Sequence, residues 1–393
     1  MRLVTLEHLD KILYEFREKF FFKRQSESVS LLESIGRILA EDVYSNKTLP
    51  LYDIATMDGY AVNSLDPPPL KLIGEVFPDS PIRKIEKGYA CYITTGAPLP
   101  EGADAVVKIE EAELTEEGLF FQNITSGRYV LKKGTDFKEN ELIVEAGRRI
   151  SPQEIAMMVV LHIDEIKVFK KYRVGIIATG DEIKKGIVKD VNSFVVASFI
   201  KQWGEEPVLL GTAGDDYEEL KELMLQGLVY CDALITTGGV SVGKKDFVIK
   251  VIEDEGELVL HKVRVRPGKP MAIGVIKNKP VFALPGKPAG AFIAMLSLRK
   301  FFLGNIPFPK IKMRMKKTVK IPTPGFEYII FIKNVDGYAY PVGYKDSPLS
   351  IIPENSNYQP SLISNAVKSL LADGFVTTQT DLEKDQVVDV NLF

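Results

Sequence analysis

The feature that most constrains the fold of this chain is an alternation of short apolar runs and helical segments between residues 172 and 303. The apolar runs, each of strand length, lie at residues 173–178, 207–211, 233–236 and 281–284. The helical segments lie at residues 192–203, 217–226, 245–255 and 289–303. Strands that alternate with helices predict a parallel sheet with helices on both faces. Ligands of such sheets bind beyond the carboxyl ends of the strands, so the loops there are candidates for a site.

The segments on either side of this alternation differ from it. Thr5 can cap a first helix, and a second helical stretch is expected at residues 31–41. From residue 45 onward, short alternating runs are broken by proline and glycine, which is typical of a β-rich module. Ser151 and Pro152 predict the start of another helix, and the alternation at 311–321 and 327–333 predicts further strands.

These changes predict a multidomain α/β plus β protein, and 393 residues suffice for several domains at about 100–200 residues each. We expect a discontinuous helical domain at 1–45 and 137–170 and a β-rich insertion at 46–136. A three-layer α/β domain is expected at 171–306, and a small C-terminal β-barrel-like domain at 307–393.

Composition excludes several classes of protein. Lys and Arg total 50 and Asp and Glu total 53, a near-balance that argues against a dedicated nucleic-acid binder. Cys91 and Cys231 lie far apart, which excludes a disulfide-rich scaffold and fits a reducing compartment. Three dispersed histidines make a histidine-built metal site a poor candidate. With no signal-peptide core and no apolar run near the roughly 20 residues of a membrane span, we expect a cytoplasmic protein that does not enter the membrane.

Three junctions between a predicted strand and the following helix carry glycine beside hydroxyl, acidic or basic groups. They read Thr179-Gly180-Asp181-Glu182, Thr237-Gly238-Gly239-Val240-Ser241-Val242-Gly243 and Pro285-Gly286-Lys287-Pro288. Glycine lets backbone N–H groups approach an anion closely at a helix start. A single such loop is more often ordinary strand punctuation, but three in one domain favour a binding site. None of them is a P-loop or a dinucleotide fingerprint.

A basic stretch follows at residues 261–270. If it is a strand, Lys262, Arg264 and Arg266 share one face, and Lys269 follows on the turn. Such a group of cations can hold a multivalent anion, although charge also protects exposed edge strands.

Acidic residues lie near the same loops. Glu182, Asp215 and Asp246 can hold Mg²⁺ against phosphate oxygens, while Asp216 and Asp246 also stand where helix caps are common. The residues alone thus predict a site for a phosphorylated ligand, built from glycine loops, carboxylates and cations.

Taken in order, these segments and three from the β-rich module resemble the molybdopterin molybdenumtransferase family, which includes MoeA and the E-domain of gephyrin. Met-Asp-Gly-Tyr-Ala stands at 57–61, Thr-Gly-Ala-x-x-Pro-x-Gly-x-Asp-Ala-Val-Val at 95–107 and Gly-x-Asp at 134–136. Thr-Gly-Asp-Glu stands at 179–182, Thr-Gly-Gly-Val-Ser-x-Gly-x-x-Asp at 237–246, Pro-Gly-Lys-Pro at 267–270 and Leu-Pro-Gly-x-Pro at 284–288. The motifs span nearly the whole chain.

The resemblance implies that molybdate is inserted into adenylyl-molybdopterin with the help of Mg²⁺, which gives the molybdenum cofactor and AMP. It also implies an elongated homodimer with active sites at the subunit interface, and transient contact with a molybdopterin adenylyltransferase and with acceptor molybdoenzymes.

The same resemblance assigns roles to individual residues. The catalytic positions are Asp58, Thr95, Asp136, Glu182, Asp215 and Asp246, of which Asp246 also holds the metal ion. The positions that bind the pterin substrate are Thr179, Gly180, Thr237, Gly238, Gly239, Ser241, Gly243, Pro285, Gly286 and Pro288. The oxyanion positions are Lys262, Arg266, Lys269 and Ser364.

Departures from the family pattern cluster on the oxyanion side. Arg266 stands where the family usually has lysine, Lys287 replaces asparagine, and Gly290 replaces serine. They leave open whether molybdate or tungstate is the substrate. Three further hypotheses also stay open, namely a tungstate-specific paralogue, a molybdopterin adenylyltransferase and a non-catalytic scaffold.

Overall fold

The computed structural model describes residues 3–240, 247–344, 347–351 and 358–393. The chain divides into two compact units, Met1–Ser26 with Phe169–Phe393 as the first and Glu27–Val168 as the second. The four domain boundaries expected from the sequence stay a prediction.

The described helices follow the sequence patterns in most places. They are α1 (Leu6–Phe16), α2 (Pro152–Val160), α3 (Asp181–Lys184), α4 (Asn192–Gln202), α5 (Tyr217–Tyr230), α6 (Phe247–Glu255), α7 (Pro288–Leu303) and α8 (Pro360–Asn365). The expected caps are present, since Thr5 accepts a hydrogen bond from the His8 amide and Ser151 with Glu154 forms a capping box.

The strands are short, and most of them lie in the β-rich parts of the chain. The second unit contains β1 (Ser26–Ser30), β2 (Val43–Tyr44), β3 (Ile54–Ala55), β4 (Gly59–Val62), β5 (Lys71–Val76), β6 (Tyr89–Ile93), β7 (Ala105–Lys108), β8 (Ala112–Thr115), β9 (Gly118–Phe121), β10 (Val130–Leu131), β11 (Leu142–Val144) and β12 (Glu165–Phe169). The first unit contains β13 (Arg173–Thr179), β14 (Glu206–Ala213), β15 (Ala233–Thr237), β16 (Gly256–His261), β17 (Val265–Arg266), β18 (Ala272–Ile276), β19 (Lys279–Leu284), β20 (Lys310–Met315), β21 (Glu327–Val335), β22 (Tyr338–Pro341), β23 (Gly374–Thr378) and β24 (Val387–Leu392).

The α/β part of the first unit is a three-layer sandwich, as predicted. Its sheet has the order β14-β13-β15-β19-β18-β16, and the first four strands are parallel. Side chains of β19 alternate, so Val281 and Ala283 join the core under α5 and α6, while Phe282 contacts Phe16 and Phe301 on the other side. Two further strands at one edge, β18 and β16, were not predicted as part of this sheet, and they run antiparallel.

The C-terminal strands form a closed five-stranded barrel, which confirms the predicted small β-barrel. The order β21-β22-β20-β24-β23 returns to β21, so the sheet closes on itself. Strand β17 joins the outside of this arrangement by pairing in parallel with β21.

The second unit is β-rich, with the single α-helix α2 among its described residues. Its largest sheet has the order β5-β6-β4-β7. A separate core packs Met158 of α2 against Leu39, Val144 and Val168.

The helix expected at residues 31–41 is wrong. Gly36 has φ +72°, a left-handed backbone that interrupts a helix, and its N–H donates to the Ile150 carbonyl. Leu32 is 82% exposed, so this segment has no continuous apolar face to bury.

The continuous basic strand expected at 261–270 is also wrong. Strand β16 ends at His261, and Lys262 has φ +76°, which breaks the alternation of side chains before β17.

Within the described residues, none of the helices is long and apolar enough to cross a lipid bilayer.

Candidate functional site

The candidate site lies at the carboxyl ends of the four parallel strands. Because β14, β13, β15 and β19 are adjacent and parallel, the loops that follow them meet at one edge of the sheet. Hydrogen bonds join these loops directly. The Gly180 amide donates to the Ala213 carbonyl (3.0 Å), and the Gly238 amide donates to the Leu284 carbonyl (3.0 Å). The Thr179 hydroxyl donates to the Thr237 carbonyl (3.1 Å).

Gly238 is the position where this packing leaves no room for a side chain. Its φ is +93°, and a Cβ there would lie 2.6 Å from the Thr179 Oγ1 atom. Gly286 approaches from the next loop, and its own Cβ would lie 3.3 Å from the Gly238 Cα. Glycine is therefore required for the three loops to approach each other this closely.

We expect Gly238→Ala to destabilise the first unit by about 1–3 kcal/mol, because it adds backbone strain and a clash with Thr179. The matched control is Gly186→Ala. Gly186 also has positive φ (+70°), but no atom lies within 4 Å of its Cβ position. Urea unfolding of both variants measures the difference. Equal losses in the two variants would contradict the close packing at Gly238.

The loops border a cavity of about 720 Å³. Arg266 and Lys269 line its wall together with Thr179, Gly180, Glu182, Asp215, Thr237, Gly238, Gly239, Pro285, Gly286 and Ser364. The structure thus brings two of the predicted oxyanion-binding cations together with all three glycine loops. Lys262, in contrast, is not among the described residues that line this cavity.

Two carboxylates predicted from the sequence lie at the cavity. Asp215 is half-buried, and its amide donates to the Asp181 carboxylate (3.0 Å), which ties the loop after β14 to α3. Glu182 is exposed and folds back over Gly180. Asp216 acts as a helix cap, since its carboxylate accepts the Glu219 amide (2.9 Å).

Asn192 was missed by sequence reasoning. Its amide group donates to the Gly286 carbonyl (2.7 Å), and it borders the cavity at the start of α4. Its Oδ1 atom is buried and accepts no hydrogen bond from the part of the chain that the structure describes. An asparagine at a helix start is usually a cap, so no sequence signal marks this position as part of a site.

The C-terminal part of the chain also reaches the cavity. Ser364 lies on α8, is 7% exposed, and its hydroxyl approaches the Cβ position of Gly290 within 3.4 Å. The sequence indicated Ser364 only through the family resemblance. The short helix α8 itself was not predicted.

Three predicted catalytic residues lie in the second unit. The Thr95 amide (2.7 Å) and hydroxyl (2.9 Å) both donate to the Asp58 Oδ1 atom. These two hydrogen bonds, the amide first, hold the pKa of the Asp58 carboxyl below its usual range. Asp136 is exposed on a separate loop, where its amide donates to the Leu49 carbonyl (3.0 Å).

Ser241, Gly243 and Asp246 lie outside the described residues. Their predicted roles stay predictions.

The fold and the cavity define a multidomain α/β protein in which glycine loops and cationic side chains border one cavity. Residues 4–161 match a family model described as the MoeA N-terminal region (domain I and II). Residues 175–303 match the model of a probable molybdopterin binding domain.

Individual proteins resemble the chain over most of its length. The molybdopterin molybdenumtransferase of Haemophilus influenzae is 32% identical over 303 residues, which cover 74% of this chain and 75% of that protein. A putative molybdopterin biosynthesis protein of Methanocaldococcus jannaschii is 28% identical over 86% of this chain and 96% of its own. The crystal structure of the molybdopterin biosynthesis MoeA protein from Pyrococcus horikoshii is 31% identical, with a TM-score of 0.76 over 100% of this chain and 99% of that one.

This chain belongs to the molybdopterin molybdenumtransferase family, and it is a transferase of molybdenum cofactor biosynthesis.

Proposed function

We propose that this protein inserts molybdate into adenylylated molybdopterin, which gives the molybdenum cofactor and releases AMP. The observation that carries the proposal is the single cavity bordered by both the glycine loops and the pair Arg266 and Lys269. The two substrates have matching chemistry, because adenylylated molybdopterin carries a pyrophosphate and molybdate is a tetrahedral dianion. One cavity that offers backbone groups and cations side by side suits the two together.

The glycine loops form the phosphate side of the proposed site. The Gly238 amide already donates to the Leu284 carbonyl, so Gly239 and Val240 are the loop residues whose amides we assign to the phosphates. Asn192 supports the same wall, because its amide group donates to the Gly286 carbonyl (2.7 Å).

The cations form the oxyanion side. Arg266 supplies a planar fork of donors and Lys269 a compact charge, with the Ser364 hydroxyl on the same cavity. No protein nucleophile is needed, because the dithiolene sulfurs of the pterin bond to the metal. Positioning and electrostatic stabilisation supply the catalysis.

The magnesium ion is part of the proposal. Among the residues described, no group of three His, Cys, Asp or Glu side chains gathers to hold a metal ion. Glu182 and Asp215 nevertheless border the cavity, and Mg²⁺ is usually held by one or two carboxylates together with substrate phosphates. We assign it to these carboxylates and to Asp246. When bound, it neutralises charge on the phosphoanhydride.

The dimer is also proposed, with residues of the second unit such as Asp58 contributing at the subunit interface. An apolar groove of about 870 Å³ lies between α4 and α7, lined by Phe194, Phe199, Phe292 and Phe393. Phe194 is 66% exposed there, and an exposed aromatic patch of this kind is typical of an interface. We assign the groove to a second copy of this chain.

We expect Phe194→Asp to weaken self-association about 30-fold or more, because it places a charge on the apolar lining of the groove. Leu65→Asp is the control, since Leu65 is 87% exposed and does not line the groove. Sedimentation velocity over a concentration series measures both. A Phe194→Asp variant that associates like the wild type would remove the groove from the interface.

The reaction itself is tested with purified protein, adenylylated molybdopterin, Mg²⁺ and either molybdate or tungstate. We expect AMP release that depends on the oxyanion, and a product that reconstitutes an apo-molybdoenzyme. The preferred anion decides between the molybdate enzyme and a tungstate-specific paralogue. No AMP release with either anion would overturn the proposal.

The same assay distinguishes the transferase from an adenylyltransferase and from a scaffold. Adenylyl transfer from ATP by this chain alone would favour an adenylyltransferase. A purely scaffolding role would fail if Asp246→Ala abolished cofactor formation while the dimer remained intact.

A further inference from the structure

We propose that Phe326 is a positioning residue whose ring holds the guanidinium of Arg266 at the cavity wall and thereby sets the affinity for the oxyanion. This inference rests on the proposed function and adds to it a residue of the barrel that neither the sequence motifs nor the cavity lining indicated.

Two of the cations that line the cavity, Arg266 and Lys269, share one aromatic ring. The guanidinium carbon of Arg266 lies 4.0 Å from the centre of the Phe326 ring, and the Lys269 ammonium lies 5.8 Å from it. Both distances are within the range of cation–π attraction, and the shorter one is a direct stack. Phe326 is therefore placed to hold both charges from the side of the barrel.

Hydrogen bonds to a buried tyrosine of the barrel hold the turn that carries Phe326. The Tyr328 hydroxyl accepts the Thr323 amide (3.1 Å) and donates to the Thr323 carbonyl (2.9 Å). The Tyr328 ring is fully buried, so this attachment belongs to the barrel core. The Thr323 hydroxyl in turn accepts a hydrogen bond from Arg266 (3.4 Å).

Strand pairing fixes the distance between the turn and the cavity wall. Strand β17 pairs in parallel with β21, with Arg266 opposite Tyr328. The Glu327 amide donates to the Arg264 carbonyl (2.8 Å). The Phe326 ring and the Arg266 guanidinium thus belong to two segments of chain whose backbones are hydrogen-bonded to each other next to the cation–π contact.

An aromatic ring that holds Arg266 leaves its charge unneutralised, whereas a carboxylate in the same place would neutralise it. Within the described residues, no carboxylate forms an ion pair with Arg266 or Lys269. An aromatic face orients a guanidinium without neutralising it, so the full charge stays available to a bound anion. A carboxylate in the same place would compete with the oxyanion for the same N–H donors.

The test is equilibrium binding of molybdate, and separately of tungstate, to the full chain by titration calorimetry. We expect Phe326→Leu to weaken oxyanion binding about five-fold, because leucine keeps the packing volume and removes the ring. Phe326→Tyr should rescue binding, since tyrosine keeps the aromatic face. In an Arg266→Ala background, Phe326→Leu should change the affinity by about two-fold or less, through Lys269 alone.

The matched control is Tyr338→Leu, because the Tyr338 ring lies under the Lys316 ammonium at a similar distance (4.4 Å) and lines neither this cavity nor the apolar groove. Its oxyanion affinity should equal that of the wild type. In turnover, Phe326→Leu should raise the KM for the oxyanion and leave the KM for adenylylated molybdopterin unchanged.

Three results would overturn the inference. They are wild-type affinity in Phe326→Leu, an undiminished effect of Phe326→Leu in the Arg266→Ala background, and no oxyanion binding by the wild type. AMP release by the wild-type protein reports on the proposed function separately, so the two failures can be told apart.

Discussion

Replacing both Arg266 and Lys269 by alanine is expected to lower kcat/KM for the oxyanion by about 100-fold or more, in line with the loss of a preorganised charge in other active sites. Both side chains line the cavity, and Phe326 holds them where no described carboxylate neutralises them. Their removal leaves the oxyanion side with the Ser364 hydroxyl and Lys287. Initial rates of AMP release against molybdate concentration measure the effect.

The control for this variant is Arg264→Ala. Arg264 belongs to the same basic stretch, but it is exposed and does not line the cavity. We expect its kcat/KM to stay within about two-fold of the wild type, as for a distant surface charge. If Arg264→Ala and the double variant lost activity equally, general charge rather than the cavity would be responsible.

Replacing Glu205 by alanine is expected to lower the free energy of unfolding of the first unit by about 3–5 kcal/mol, because it leaves a buried guanidinium without its partner. The Arg24 and Glu205 side chains are 2.8 Å apart and only 6% and 3% exposed. The same carboxylate accepts the Tyr172 amide (2.6 Å), and Arg24 also stacks on Phe21 at 4.2 Å. The pair therefore joins the segment after α1 to the sheet.

Urea unfolding followed by Trp203 fluorescence reports this effect, because Trp203 is the one tryptophan of the sequence and is buried in the first unit. Glu383→Ala is the comparison within the same unit, since its ion pair with Lys320 spans 3.0 Å but is more than half exposed on both sides. We expect that comparison variant to lose about 1 kcal/mol or less of its free energy of unfolding. If Glu205→Ala lowered the free energy of unfolding by a similarly small amount, the buried ion pair of Arg24 and Glu205 would contribute little to stability.

The sequence predicted the α/β region well because its signals are local. Buried strands such as β13 and β15 have continuous apolar runs, and Ser151 with Pro152 is a start signal that depends on adjacent residues. The predicted parallel strands also implied that the three glycine loops lie close together, because the carboxyl ends of parallel strands meet at one edge of the sheet.

The errors lie where tertiary contacts override local preference. Residues 31–41 have helical spacing, but the chain there pairs with distant segments, Ile38 with Arg149 and Leu39 with Val168. Lys262 was expected to face the same way as Arg266, but its left-handed backbone turns the chain between them. The spacing of the charged residues in the sequence does not reveal a change of backbone conformation at a single residue.

The parts of the site that sequence reasoning missed come from outside the motifs. Asn192 opens a helix, and Phe326 belongs to a turn of the barrel, yet the fold places one at the cavity and the other against its cations. Phe326 and Arg266 are 60 positions apart in the chain, and only the pairing of β17 with β21 brings them together.

The most direct test of the central claim is a crystal of this protein soaked with molybdate and, separately, with tungstate. We expect an anomalous scattering peak inside the cavity, within hydrogen-bonding distance of Arg266 and Lys269 and on the same side of the sheet as Gly238. A peak bound elsewhere in a protein that still releases AMP, or no peak with either anion, would contradict the claim that these cations hold the oxyanion.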